Sequence, residues 1–281
     1  MGRGTYSDIP MHLDAATRII QLRFMGSGST VLHRLFDRLA VESVMYQIFL
    51  VSTGCWAGTD AHVHSHYKFD PHFWLQCEAL LARSTIFPGQ SASRNSPVLG
   101  VPWALFKLIL TIKQLLGSPL QHDEDTIKHL RSEVAYWEAA LTLRDELVKE
   151  QWTICDDATS LYILIASLLV EQLSTSGDAF PAGLPQPVET ESWQLSMMAE
   201  IIQRRHKDND WERCFVANWP VYTAGFLVID ESDIDLIRED LSGRWARANF
   251  AQVARYKEDL EKTWRQRHLP RQRVTECFES G

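Results

Sequence analysis

Apolar residues recur along this chain at the three-and-four spacing of amphipathic helices, and convincing strand alternation is found almost nowhere. Val31, Leu32, Leu35, Phe36, Leu39 and Ala40 repeat in this way with Arg34, Asp37 and Arg38 between them, and the pattern continues through Val44, Ile48 and Phe49. This predicts one helix, or two, opening after Gly26-Ser27-Gly28-Ser29, with Ser29 or Thr30 supplying the N-cap oxygen. Val101 to Leu116 predicts another, with Pro102 near its first turn and Gly117 as the C-cap. From Asp123 onward, Ile127, Leu130, Val134, Trp137, Leu141 and Leu143 fall toward one side. Acids gather in the first turn there, where the helix dipole favours them.

Asp156 and Asp157 are candidate caps for a nearly all-apolar helix through Leu161, Ile165 and Leu168, which would lie at the centre of the core. Ser174 to Pro187 collects prolines and glycines and reads as a surface connection. Apolar stretches follow at Trp193 to Gln203 and Ala217 to Val228, then a polar helix beginning over Ile234 to Leu241. A last helix spans Asn249 to Trp264, with Phe250, Val253, Tyr256 or Lys257, Leu260 and Trp264 in step, and Pro270 stops it. No internal repeat or low-complexity tract interrupts the pattern. The expected architecture is all-α: a single irregular multi-helix domain over residues 1–281.

A hydrophobic share of 45% supplies ample core material for 281 residues. The 36 acidic against 28 basic residues leave a formal charge of -8, the opposite of a nucleic-acid-binding footprint, so no direct contact with nucleic acid is expected. Cys55, Cys77, Cys155, Cys214 and Cys277 are scattered without a C-x-x-C pair, which argues for a reducing compartment. Arg3, Asp8, His12 and Asp14 leave no room for the apolar stretch of a secretory signal. The apolar run Val98 to Leu116 contains Lys107 and Lys113, and each central lysine would cost roughly 2.5–3.5 kcal/mol in a bilayer. Leu161 to Val170 is too short to span, so no membrane segment is expected.

Several segments in order resemble the fungal-specific transcription factor domain, the regulatory region that usually follows a zinc binuclear cluster. Ser96 to Leu115, SPVLGVPWALFKLILTIKQL, resembles that family's short turn into an apolar helix. NWPVYTAG, Asn218 to Gly225, resembles its W-P-x-x-x-A-G helix, and Ala248 to Arg267 its final helix ending on a tryptophan. The helix at Leu32 to Phe49 is similar to the one that carries the family's sensor-like middle region, and the match covers residues 32–267.

The departures are specific. Nothing between Met1 and Cys55 can build the zinc cluster, and the chain starts well inside the regulatory domain as the family has it, without a preceding group of helices. The resemblance implies a regulator-like protein of the nucleus or cytoplasm without its own DNA-binding module. It would act through a homodimer, a regulatory protein partner or a small-molecule effector, with no cofactor or metal. The alternative is an enzyme of fungal secondary metabolism recruited from the same scaffold. A third account, a truncated product, predicts apolar surface laid bare where helices are missing.

Candidate chemistry is sparse. His62, His64, His66 and His72 crowd beside Asp60 and Asp70. On a strand the first three share a face, and on a helix His62 and His66 do. Under the enzyme alternative His62, His64, His66 and Asp60 would do proton-transfer work, with Asp60 or Asp70 orienting a ring; the plainer account is a solvated loop between helices. Trp56, Trp74, Trp103, Trp137 and Trp219 lie in apolar context, as pocket-lining aromatics or as core. Asp123-Glu124-Asp125 and Asp156-Asp157 read as helix-start acids, and the basic Arg265 to Arg273 as a helix-end cluster.

Overall fold

The computed structural model describes residues 9–25, 32, 34–53, 56, 70–87, 96, 98–118, 123–145, 152–175 and 184–268. In chain order these form α1 (Ile9–Ile20) with a π turn (Gln21–Met25) at its end, α2 (Leu35–Thr53), α3 (Pro71–Ala82), α4 (Trp103–Leu116) and α5 (Glu124–Asp145). Then come α6 (Ile154–Thr175), α7 (Trp193–Arg204), α8 (Asn209–Arg213), a 3-10 turn (Phe215–Ala217), α9 (Asn218–Leu227), α10 (Glu231–Ala248) and α11 (Ala251–His268). There is no strand among the described residues, so the all-α expectation holds.

The centre is α6. Every residue from Leu161 to Val170 is buried, and the helix packs against α4, α5, α7 and α9. A helix apolar all round is stable only when surrounded in this way. Its start is a reciprocal cap: Thr153 Oγ1 accepts from the Asp156 amide (3.2 Å) while Asp156 Oδ2 accepts from the Thr153 amide (3.0 Å). Asp157, expected as a cap, instead lies fully buried one residue inside and receives Arg204 Nη2 at 2.7 Å and Arg205 Nε at 2.6 Å. It ties α7 to α6.

The α5 stripe matches its pattern, with Leu130, Val134 and Leu141 buried and Ile127 and Trp137 half-buried; the Leu143 side chain lies outside the described set. Gly117 closes α4, its amide donating to Lys113 O at 3.0 Å, while Pro102 stands just ahead of the helix. Of the expected Ser174–Pro187 connection, residues 176–183 lie outside the described set. The part from Leu184 on is a strap: Gln186 and Gln172 exchange two hydrogen bonds of 2.9 Å, and the Val188 amide donates to Leu227 O.

Three expectations change. The second helix starts at Leu35, because the Leu32 amide is engaged by Ser84 Oγ at 2.8 Å and its side chain is buried as an extended anchor. Its buried face runs through Arg38, Val41, Glu42, Met45 and Phe49, which leaves Phe36 80% exposed. Asn249 does not open the last helix. It ends α10 in the left-handed conformation, φ 51° and ψ 35°, a role asparagine takes readily, and Phe250 is left exposed.

The W-P-x-x-x-A-G segment has a packing reason. Trp219 is fully buried, and Gly225 lies against α11 so closely that a Cβ there would sit 2.6 Å from Leu260 Cδ1 and 2.7 Å from Cδ2. Trp264 Nε1 then donates to Gly225 O at 2.8 Å, and Arg267 Nη2 to Phe226 O at 2.8 Å, closing the carboxyl end of α9. At the basic end of α11, Arg267 therefore serves a neighbouring helix, while Arg265 Nε donates to Glu261 O of its own at 3.0 Å. Gly225→Ala is expected to destabilise the protein by about 1–2 kcal/mol despite alanine's better helix propensity. Urea unfolding of the variant would show this, with Leu260→Val in the same chain recovering part of the loss.

Candidate functional site

Where α2 ends, five elements meet on a cluster of rings. Trp219 stacks on Tyr162 (5.5 Å between centroids, 14°), takes Phe49 edge-on at 4.9 Å and lies 6.3 Å from Trp56. Its Nε1 donates to Thr53 O at 3.2 Å, which fixes the α2 terminus. Trp56 is held by both its N–H groups and its ring face: Nε1 donates to Thr223 Oγ1 at 3.0 Å, its amide to Tyr222 Oη at 3.3 Å, and Lys113 Nζ lies 4.2 Å over the ring. Tyr222 stacks on Tyr256 and donates to Asp259 Oδ2 at 3.1 Å. Of the five tryptophans singled out above, only Trp56 and Trp219 face each other among the described ring contacts. Trp74 is buried on α3 and donates to Glu78 Oε1 at 3.1 Å; Trp103 and Trp137 are half-buried on α4 and α5.

His62, His64, His66 and Asp60 lie outside the described residues. Trp56 and Asp70 flank that segment. Asp70 is the N-cap of α3, its Oδ1 accepting from the amides of His72 (2.9 Å) and Phe73 (3.2 Å), and His72 is exposed in the first turn. Asp70 is thus engaged as a cap through Oδ1. Among the described residues no three His, Cys, Asp or Glu side chains are grouped to hold a metal.

A second constellation escaped the sequence reading. Three side chains from distant helices donate to successive carbonyls around the 3-10 turn: Arg244 Nη1 to Cys214 O (2.9 Å), Tyr46 Oη to Phe215 O (3.1 Å) and Tyr162 Oη to Val216 O (2.9 Å). Burial pushes both tyrosine hydroxyls above their ordinary range, and the Cys214 thiol likewise, so all remain protonated. Arg244 also donates from Nε to Asp240 Oδ2 at 2.5 Å, and its guanidinium lies 4.5 Å over Trp211. The single sequence signal was Arg244 four residues after Asp240 on a helix read only as polar. These bonds hold the turn that delivers Trp219 to the aromatic cluster.

Two surfaces stand out. A groove of about 390 Å³ opens between the turn after α7 and α10, with His206 Nε2 3.8 Å from Glu239 Oε2. Lys207 beside it has φ 63°, a conformation uncommon for a side-chain-bearing residue. The other acids and the arginine of that groove are engaged: Glu212 with Arg247, Asp240 with Arg244, Arg238 with Glu261. The second surface is apolar. Met11 (63% exposed), Ile19 (62%), Leu22 (78%) and Phe36 (80%) are gathered in the first two helices, which pack on one another through the opposite side of α1.

The fold places the chain in the class of all-α proteins. Comparison with protein-family models, curated proteins and solved structures found no match. No described helix is long and apolar enough to cross a membrane.

Proposed function

We propose that this chain is a transcription-regulator-like helical module without its own DNA-binding unit, acting through protein contacts made by the α1–α2 face. The observation that carries the reading is that four of the five most exposed large hydrophobic side chains among the described residues, Met11, Ile19, Leu22 and Phe36, lie on α1, its π turn and α2. Two further points support it. The net charge of -8 leaves recruitment to DNA to another protein, and the ordered resemblance to the fungal regulatory domain supplies the class. The groove at His206 and Glu239 is a concavity that offers a small polar effector a seat.

Tethering tests the reading. The full chain is fused to a heterologous DNA-binding domain above a reporter gene in a fungal host, beside Ile19→Asp and Leu22→Asp versions checked for wild-type helicity. The wild-type fusion is expected to change reporter output several-fold and both variants to lose the effect. A silent wild-type fusion, or variants as active as it, overturns the proposal.

A further inference from the structure

The occupant of the apolar face can be read from its pattern. On α1 and its π turn, Met11, Ala15, Ile19 and Leu22 recur at helical spacing and are all exposed, while Leu13 and Ile20 on the opposite side are buried. The helix therefore has one apolar face toward α2 and a second with no partner among the described residues. One flank of that second face carries two charges, Asp14 and Arg18, both exposed and neither in an ion pair among the described residues. The other flank carries His12 and Arg23, and Arg23 is engaged with Asp37 at 3.0 Å.

We propose that a second copy of this chain occupies the face, α1 packing antiparallel on α1 about a two-fold axis near Ala16. This inference rests on the reading of the α1–α2 face as a contact surface and names its partner. When two identical helices pack antiparallel, each flank meets the same flank of its copy, with the residue order reversed. A centre at Ala16 sets each Asp14 beside the other copy's Arg18, twice over, and lays the stripe, residues 11–22, over its copy's with a one-residue offset. A parallel arrangement would put the Asp14 flank against the His12 and Arg23 flank and leave Arg18 without an acid. Ala15, small and exposed at the crossing, allows the close approach of 8–10 Å that helices need to interlock, an estimate of about that size being general for packed helices. Leu35 and Phe36, at the start of α2, are exposed as well.

A helix running from Ile9 to Met25 is about 25 Å long, so its stripe alone is smaller than the roughly 800 Å² per partner of a stable complex. The pairing is accordingly weak and concentration-dependent, with dissociation in the micromolar range.

Sedimentation equilibrium on the full chain, from about 1 to 200 μM, brackets that range. The wild type is expected to pass from monomer to dimer. Asp14→Arg and Arg18→Asp singly should each weaken dimerisation about tenfold or more, since each makes two like-charge pairs; the double swap should restore it, and Ile19→Asp should abolish it. Circular dichroism of each variant controls for folding. A chain monomeric throughout, one that aggregates without a discrete dimer, or a double swap no better than the singles overturns the inference. If the wild type stays monomeric while Ile19→Asp still silences the tethered reporter, the second copy is excluded and a foreign helix is the partner. A charge-swap-dependent dimer with a silent reporter establishes the pairing and removes the regulatory reading.

Discussion

Replacing Arg244 by methionine should lower folding stability by about 3–5 kcal/mol, the usual cost of stranding one member of a buried ion pair. Arg244 is wholly buried and Asp240 nearly so. One guanidinium face covers Trp211, whose Nε1 donates to Asp240 Oδ1 at 2.7 Å, so acid, base and indole form a closed triangle. Nη1 also serves Trp211 O (3.1 Å), Cys214 O (2.9 Å) and Asn218 Oδ1 (3.1 Å). Methionine fills similar volume but leaves the Asp240 carboxylate with one donor, and takes from Trp211 O and Cys214 O the second of their two donors, each keeping a backbone amide. Lysine keeps the charge yet lacks the fork that reaches these acceptors, so Arg244→Lys should recover only part of the loss. Adding Asp240→Leu to Arg244→Met should cost less than the two singles together, because the stranded charge is then gone. Urea unfolding of the four proteins reads this cycle. A cost under about 1 kcal/mol for Arg244→Met would mean that the turn is held by Tyr46 and Tyr162 alone.

The helices were largely legible because their apolar periods are long and their boundaries chemically marked. Gly117, Asp123 and the apolar run through Leu168 each fall where the pattern puts them. What periodicity missed were the places where a charged residue is inside. Arg38 reads as the polar face of α2 and Asp157 as a cap, yet both are buried, Arg38 satisfied by Glu42 one turn on together with Ser84 O, and Asp157 by Arg204 and Arg205. No local pattern contains that information: the partners of Asp157 lie on α7, and those of the Tyr46 and Tyr162 hydroxyls in the 3-10 turn. The α1 helix was not read at all, for another reason. Met11, Ile19 and Leu22 interleave with Leu13 and Ile20 among His12, Asp14 and Arg18, so no single apolar stripe stands out, and only burial separates the covered face from the open one.

The second large effect is expected at Glu42. Its carboxylate, fully buried, takes three donors from two segments: Oε1 accepts from Arg38 Nε of α2 at 2.7 Å, and Oε2 accepts from Ser96 Oγ at 2.8 Å and the Val98 amide at 3.0 Å. Ser96 Oγ in turn accepts from the amides of Leu99 (3.0 Å) and Gly100 (3.2 Å), so the turn before α4 is built on this carboxylate. Arg38 Nη1 meanwhile donates to Ser84 O at the end of α3. Glu42→Ala strands the Arg38 guanidinium and unties the turn together, and a loss of about 3–5 kcal/mol follows. That is a large fraction of the 5–15 kcal/mol by which domains are usually stable, so reduced accumulation in cells should accompany it. Glu42→Gln separates the two roles. Its amide oxygen can still accept from Ser96 or Val98 but carries no charge for Arg38, and an intermediate loss is expected. Hydrogen exchange locates the effect. In Glu42→Gln the amides of Val98, Leu99 and Gly100 should lose protection well before those of α9, whereas in Arg244→Met the order should reverse, since that cluster holds the opposite side of the aromatic core. Equal loss of protection at both places in both variants would mean that the two buried pairs stabilise one cooperative unit and not two separable junctions.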